Sequence, residues 1–459
     1  MVQSLTAALA LGLLFALSVT RAGEIPSLAG APVGTYDRLS PGGHPLTPVT
    51  ETQPGLPAFD PLVQQMMDQV VSPTLYAYEA QLSGQVSVTV GGAAYTITTR
   101  NTRSGIPIET ATQFIQEELA GDGYAAAYHN WTLSGDSGRN VIAELPGQVD
   151  PSRIYMLTAH LDDMPVSGTA PGADDNASGT AAVLAAAEIM SHTYWGCTLR
   201  FALFTGEEQG LKGSNRYAFD ARGRNENILG VLNLDMLGYN GAPPRALNLY
   251  YKPTVAGSQQ IADLFVNTVG EYGLGLAPVT YNVVTYTVGN QSDNASFWTQ
   301  GYPAILAIED YQGHDFTPYY HTISDTLSSL DLDYYTTMVK AAIGTFAKMT
   351  GCLIQDPPIA VSIRRQGDSG AALSWFHTAP NAQYQVWRDT KPYLQPGDAA
   401  LVETLPAPKL GVASTYTDAD ATTSPGAGVY YLVRGVDSMA NPADTSQRVG
   451  VVSYALDVP

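Results

Sequence analysis

Residues 154–163, IYMLTAHLDD, run from six uncharged residues directly into a histidine and two aspartates. A short apolar run without alternation is what a strand covered on both faces requires, and the charged tetrad then falls where such a strand would leave its sheet. Three other stretches repeat the arrangement. LRFALFT (199–205) runs into GEEQG (206–210), ILGVLNL (228–234) into Asp235, and PAILAIE (303–309) into the loop GHDFTPYYHTISDT (313–326). Between these runs, 178–191, 210–222, 257–272 and 333–349 have helical length and spacing. The rhythm predicts an α/β fold with a mixed, mainly parallel sheet flanked by helices from about 153 to 350. Ligands of such sheets bind beyond the carboxyl ends of the strands, where the charged clusters would converge.

Outward from this region the character changes. The chain has 459 residues, enough for two or more domains. Residues 5–19, LTAALALGLLFALSV, are apolar and short for a membrane span, and small residues follow, so 1–22 read as a signal peptide cut after Ala22. No Lys or Arg precedes that run, which leaves an uncleaved N-terminal anchor as the alternative. Residues 23–58 are rich in Pro and Gly and read as a linker or pro-segment. A helix is expected over 60–82, a hairpin around Gly91-Gly92 over 85–99, a helix over 107–121, and strands near 126–132 and 139–145. After Cys352 comes a linker, QDPPIA, and then strand-like runs over 359–459: LSWF (373–376), YQVWR (384–388), VYYLVRGV (429–436) and VGVVSYAL (449–456). These predict a small all-β sandwich of the fibronectin III or immunoglobulin-like kind, with Trp375, Tyr430 and Tyr431 in its core.

The 42 acidic and 22 basic residues give a net charge of -20, which argues against nucleic acid or an anionic membrane surface as partner. No second stretch is long and apolar enough to span a bilayer. The two cysteines, Cys197 and Cys352, leave one disulfide open and exclude a cysteine-rich zinc site. A metal would have to rest on histidine and carboxylates. Each cluster alone has an ordinary reading: HLDD as a loop, Glu207-Glu208 as a helix start, Asp174-Asp175-Asn176 and Asp235 as caps, His321 as a loop histidine. Jointly they place imidazoles and carboxylates in separate loops at one rim of one sheet, a donor set that suits Zn²⁺, with Mn²⁺ or Co²⁺ as substitutes.

HLDD (160–163), GADDNASG (172–179), FTGEEQGLKGS (204–214), NLDMLGY (233–239) and YYHTISDT (319–326) resemble, in order and spacing, the co-catalytic zinc aminopeptidases secreted by bacteria. Glutamate carboxypeptidases and glutaminyl cyclases are related to them. The resemblance covers roughly 60–350 and implies a zinc exopeptidase domain over 59–354, followed by the β-domain at 359–459. It implies two Zn²⁺ per chain: His160 and Asp235 on one, Glu208 and His321 on the other, Asp175 bridging. Glu207 would be the general base, and Tyr320 resembles a tyrosine that stabilises the oxyanion in some members. Asp162 would orient His160, and Asp325 would support His321 in the same way. Asp174 and Asn176 would shape the loop. Only the block YYHT chooses His321 over His314. The implied substrates are peptides or proteins with a free N-terminus, met outside the cell by a monomeric chain. A carboxypeptidase would need cations for a substrate carboxylate, for which Lys212 and Arg216 are at hand. A glutaminyl cyclase uses one zinc, and a silent binding relative would have lost ligands. The S1 preference is not legible; Phe297, in SDNASFWTQGY (292–302), could line that pocket or belong to the core.

Overall fold

Proline and glycine set the first elements. Helix α1 (Pro61–Asp68) is capped by Asp60, whose Oδ1 accepts the Leu62 amide at 2.9 Å. The single helix expected over 60–82 is instead two, because Pro73 can occupy the first turn of α2 (Ser72–Leu82) but cannot continue a helix arriving from α1. The short strands β1 (Val88–Val90) and β2 (Ala93–Tyr95) form the expected hairpin, and Gly91 and Gly92 take φ of 58° and 79° in its turn. Helix α3 (Ile106–Gly121) follows. The structure is a computed structural model that describes residues 59–459 except 166–168, 314, 355–358, 360, 368–369, 378–380, 392–398, 409–411, 422–427, 437–441, 446–448 and 453–459. The expected signal peptide, the 23–58 segment and His314 lie outside the described residues.

Eight strands then build one sheet: β3 (Ala125–Leu133), β4 (Asp136–Leu145), β5 (Asp150–His160), β6 (Cys197–Phe204), β7 (Asn227–Leu234), β8 (Ala246–Tyr251), β9 (Ala277–Asn282) and β10 (Ala304–Glu309). Their spatial order is β3-β4-β6-β5-β7-β10-β8-β9. The four apolar runs are the four middle strands, and each pairs with its neighbour in parallel, so their carboxyl ends share one rim. β4 and β8 join this block antiparallel, giving the mixed, mainly parallel sheet expected. Side chains of β5 alternate between two cores, as the pleat demands: Tyr155, Leu157 and Ala159 face one, Ile154 and Met156 the other. The first core is closed by α3, α4 (Gly179–Ser191), α6 (Ser258–Glu271) and α8 (Leu332–Thr350); the second by α5 (Lys212–Gly223) and α7 (Asn294–Thr299).

The sequence reading assigned no element to β8, β9 or α7. β9 is an edge strand with two of its six residues exposed and none fully buried, and it contains Pro278, which an edge tolerates. It therefore lacks the apolar run that marks its buried neighbours.

Beyond 359 the described residues form two antiparallel sheets. One contains β11 (Ser362–Gln366), β12 (Gly370–Phe376) and β15 (Ala413–Asp418). The other contains β13 (Gln383–Asp389), β14 (Ala400–Pro406), β16 (Gly428–Val436), β17 (Pro442–Thr445) and β18 (Val449–Val452). Trp375, Tyr384 and Tyr431 fill the core of this region. Tyr430, expected there too, is only half-buried, because its side chain points to the face opposite Tyr431.

Cys197, at the start of β6, and Cys352, just past α8, form a disulfide with a Cα–Cα distance of 5.7 Å and 155 residues of sequence separation. Closing so long a loop restricts the unfolded chain strongly. We expect the Cys197→Ser/Cys352→Ser variant to lose about 3–5 kcal/mol of stability in denaturant titration. A loss below about 1 kcal/mol would mean that the cross-link does not constrain unfolding in this way.

Candidate metal centre

The four parallel strands deliver their charged ends to one buried pocket. His160, the last residue of β5, places Nε2 at 3.2 Å from Asp235 Oδ1 and 3.4 Å from Asp175 Oδ1. His321 places Nε2 at 3.2 Å from Asp175 Oδ2 and 3.0 Å from Glu208 Oε2. The two oxygens of Asp175 thus face different imidazoles. Two sets result, His160/Asp175/Asp235 and Asp175/Glu208/His321, each with donor atoms within 4.8 Å of one another. Glu207 forms a third grouping with His160 and Glu208.

Asp175 Oδ2, both Glu208 oxygens and His321 Nε2 are buried and have no hydrogen-bond partner, although they face one another at close range. Buried polar atoms in that condition cost free energy, and a dication at the centre of each set would satisfy them. Imidazole nitrogen and carboxylate oxygen without sulfur suit zinc, so the residues fit.

The electrostatics agree. Burial would lower the His321 imidazole, but Asp175 and Glu208 outweigh it and push it up to about 10. Burial likewise opposes protonation of His160, and the charges of Asp235 and Glu207 hold it well above its ordinary value. Burial and the nearby Asp175 charge push Glu208 up to about 8 against the pull of His321. Burial raises Glu207 well above the usual carboxylate range; His160 opposes this, and Glu208 and Asp235 add to it. Burial pulls Asp175 upward too, yet the two imidazoles hold it below its ordinary value. His321 and Glu208, raised to these values, hold protons at neutral pH when no cation is bound. Cation uptake must displace those protons, and it weakens as pH falls.

The supporting residues are arranged differently from the roles the resemblance implied. His160 Nδ1 lies 3.0 Å from the backbone carbonyl of Asp162, while the Asp162 carboxylate is 3.8 Å away, beyond hydrogen-bond reach. That carboxylate instead accepts Thr102 Oγ1 at 2.9 Å and the amide of Gly206 at 3.0 Å, with the amides of Glu207 and Glu208 at 3.3 and 3.4 Å. Asp162 therefore anchors the turn that carries Glu207 and Glu208. Asp325, expected behind His321, accepts the amides of Asp174 and Asp175, each at 2.9 Å, and so fixes the bridging residue. Asp174 and Asn176 shape the loop, as read: Asp174 accepts the Gly238 amide, and Asn176 ties Leu234 to Gly179.

Tyr320 is buried, its ring stacked on His321 with centroids 3.6 Å apart. Burial raises its hydroxyl pKa, and the charges of Asp175, Glu208 and Glu207 add to the shift, so the hydroxyl lies in the field of the pocket. Phe297 is a core residue, packed against Phe204, Tyr217 and Tyr302.

Three supporting residues escaped the sequence reading. Arg100 is fully buried, and its guanidinium donates to the carbonyls of Leu82, Leu161, Pro171 and Gly172, while its amide donates to Asp163 Oδ2 at 2.7 Å. It staples the loops that carry His160 and Asp175. Thr102, two residues on, joins Asp162 to Gly206. Asp293 is fully buried with neither oxygen hydrogen-bonded, and burial pushes it up to about 7 against the pull of His160. It lies in SDNASFWTQGY (292–302), the stretch that also contains Phe297, four residues before that ring.

Residues 140–345 match the sequence model of peptidase family M28. A Leptosphaeria maculans protein described as a probable zinc metalloprotease is 28% identical over 292 residues, covering 55% of this chain and 67% of its own length. A probable leucine aminopeptidase of Trichophyton verrucosum is 29% identical over 220 residues, covering 46% of this chain and 57% of its own. The chain thus spans between 57% and 67% of the length of these relatives. The LapA aminopeptidase of Legionella pneumophila has a similar fold, with a TM-score of 0.54 at 18% identity over 64% of this chain and 75% of that one. A glutaminyl cyclase of Porphyromonas gingivalis reaches 0.50 at 18% identity, over 61% of this chain and 99% of its own, so the shared fold does not by itself choose a reaction. The match to the peptidase family M28 model, however, spans every residue of both ligand sets, so the similarity falls on the part of the chain that carries the site.

Proposed function

We propose that the protein is an extracellular metallo-aminopeptidase that removes N-terminal residues from peptides, with two zinc ions and Glu207 as general base. The observation that carries this reading is the bridging geometry of Asp175, whose two oxygens address separate, complete ligand sets. His160 and Asp235 would hold one ion, Glu208 and His321 the other, and Asp175 both. When bound, zinc supplies Lewis acidity toward the scissile carbonyl and makes a water acidic enough to attack near neutral pH. Glu207 takes the proton of that water and passes it to the leaving amine. The Tyr320 hydroxyl donates to the oxyanion that forms as the carbonyl becomes tetrahedral.

The acidic pocket suits a cationic α-amino group. A carboxypeptidase would need free cations here, but Lys212 pairs with Asp136 and Arg216 with Asp220. Two complete ligand sets also count against a one-zinc cyclase and against a silent relative. Export rests on the apolar run at 5–19, and no helix among the described residues is long and apolar enough to cross a membrane. The sheets beyond 359 are read as a structural appendage and the chain as a monomer. The test compares zinc-loaded protein on leucine anilide and on its N-acetyl form. Blocking the amine is expected to reduce hydrolysis by about 10²-fold or more, because the groups that recognise it are left unpaired. Equal rates would reject an aminopeptidase.

A further inference from the structure

The turn that carries Glu207 packs against one indole. Trp131, near the end of the edge strand β3, is almost wholly buried, and its ring fills a slot bounded by three glycines. A Cβ at Gly206 would stand 2.6 Å from the ring's Cζ2 and 2.7 Å from Cη2, one at Gly138 would stand 2.7 Å from Cζ2, and one at Gly213 would stand 3.1 Å from Nε1. Gly206 and Gly138 thus leave room for the same side chain, whereas Gly213 chiefly clears the Thr205 carbonyl and Asn140 Oδ1. Trp131 Nε1 donates to Thr205 Oγ1 at 3.0 Å.

Thr205 and Gly206 are the two residues between the end of β6 and Glu207. Gly206 has φ of 77°, in the left-handed region, so this short link turns sharply. Its amide donates to Thr102 Oγ1 at 2.7 Å and to Asp162 Oδ2 at 3.0 Å. The turn is therefore packed between the indole and the Thr102–Asp162 pair, while Asn140 Oδ1 accepts the Thr205 amide at 3.0 Å and the Gly206 carbonyl accepts the Lys212 amide at 2.8 Å. The hairpin that presents the indole is itself pinned, since Asp136, at its tip, pairs with both Lys212 and Arg103. Trp131 belongs to neither ligand set.

We infer that Trp131 is a positioning residue for the reaction: its indole fixes the height of the Thr205–Gly206 turn and so aims the Glu207 carboxylate at the attacking water. This rests on the reading of Glu207 as the base. A general base displaced by about 1 Å is expected to cost about 10²-fold in rate; Glu208, on the same turn, shifts with it, while His160, Asp175, Asp235 and His321 keep their places. A merely structural tryptophan would lower stability without changing the turnover of folded, metal-loaded enzyme.

The experiment measures kcat, KM, zinc content and denaturant midpoint for Trp131→Phe, Trp131→Ala and Gly206→Ala, with leucine anilide as substrate. Gly206→Ala attacks the same contact from the other side. Assayed with zinc in excess, so that both sites are filled, Trp131→Ala and Gly206→Ala are expected to lose about 10²-fold in kcat and to leave KM within about threefold, the pattern of a contact that matters only in the transition state. Trp131→Phe, which keeps a ring but loses the indole N–H and the outer atoms, should fall in between. If Trp131→Ala does not fold, Trp131→Phe and Gly206→Ala decide. Wild-type kcat in the folded, zinc-loaded variants would overturn the inference, and so would a loss of kcat that merely follows loss of zinc. Failure of the underlying reading looks different: an inactive wild type, or an active Glu207→Gln, rejects the base itself. An active wild type with an inactive Glu207→Gln and unaffected Trp131 variants rejects only the role of the indole.

Discussion

Glu207→Gln should keep the zinc content of the wild type and lose about 10³-fold or more in kcat, measured on leucine anilide with metal content determined on the same samples. The substitution is nearly isosteric, and Glu207 belongs to neither of the sets bridged by Asp175. The backbone around it is fixed independently of its side chain, since its amide faces Asp162 and its carbonyl accepts the amides of Gly210 and Leu211 at 2.7 and 2.8 Å. What the variant removes is a buried proton acceptor whose basicity burial keeps high. An amide cannot accept and return a proton. The neighbouring Glu208 is the control: it pairs with His321, so Glu208→Gln should weaken zinc binding together with activity. Zinc-replete Glu207→Gln with near wild-type turnover would exclude Glu207 as the base.

Asp175→Asn should have the largest effect on metal binding, weakening both ions together by more than about 10²-fold. One carboxylate serves both imidazoles, through Oδ1 toward His160 and Oδ2 toward His321. Removing its charge therefore injures both sets, and the amide nitrogen turns one of the two oxygens into a donor. Asp235→Asn touches only the His160 set and should leave one strong equivalent on Asp175, Glu208 and His321. Zinc titration of the two variants, with release of single N-terminal residues from a peptide ladder as the activity readout, separates the cases. Two equivalents bound by Asp175→Asn with wild-type affinity would refute the bridge.

The contrast between these variants also shows what was legible beforehand. Apolar runs ending in charge marked the four middle strands, because a strand covered on both faces has no polar alternation to confuse it with a surface element. They placed His160, Glu208 and Asp235 at one rim. The choice of Asp175 over Asp174 was not legible from the residues themselves, since both precede the same helix and either could cap it; it came from the resemblance. In the structure, Asp175 faces the imidazoles while Asp174 turns to the Gly238 amide. The helpers were the least legible. Whether Asp162 reaches His160 through its carboxylate or its carbonyl depends on the path of a loop, which no local pattern records. Arg100 sits in TTRNTRSG, which has the composition of a surface turn, yet its guanidinium is the buried donor to four carbonyls.

The position of Asp325 has a consequence for both ligand sets. It lies four residues after His321 on the same loop, yet its carboxylate grips the amides of Asp174 and Asp175. The loop that carries His321 thus also holds Asp175, the residue common to the two ligand sets. A displacement of that loop would therefore reach both proposed ion sites at once, through the one carboxylate they would share.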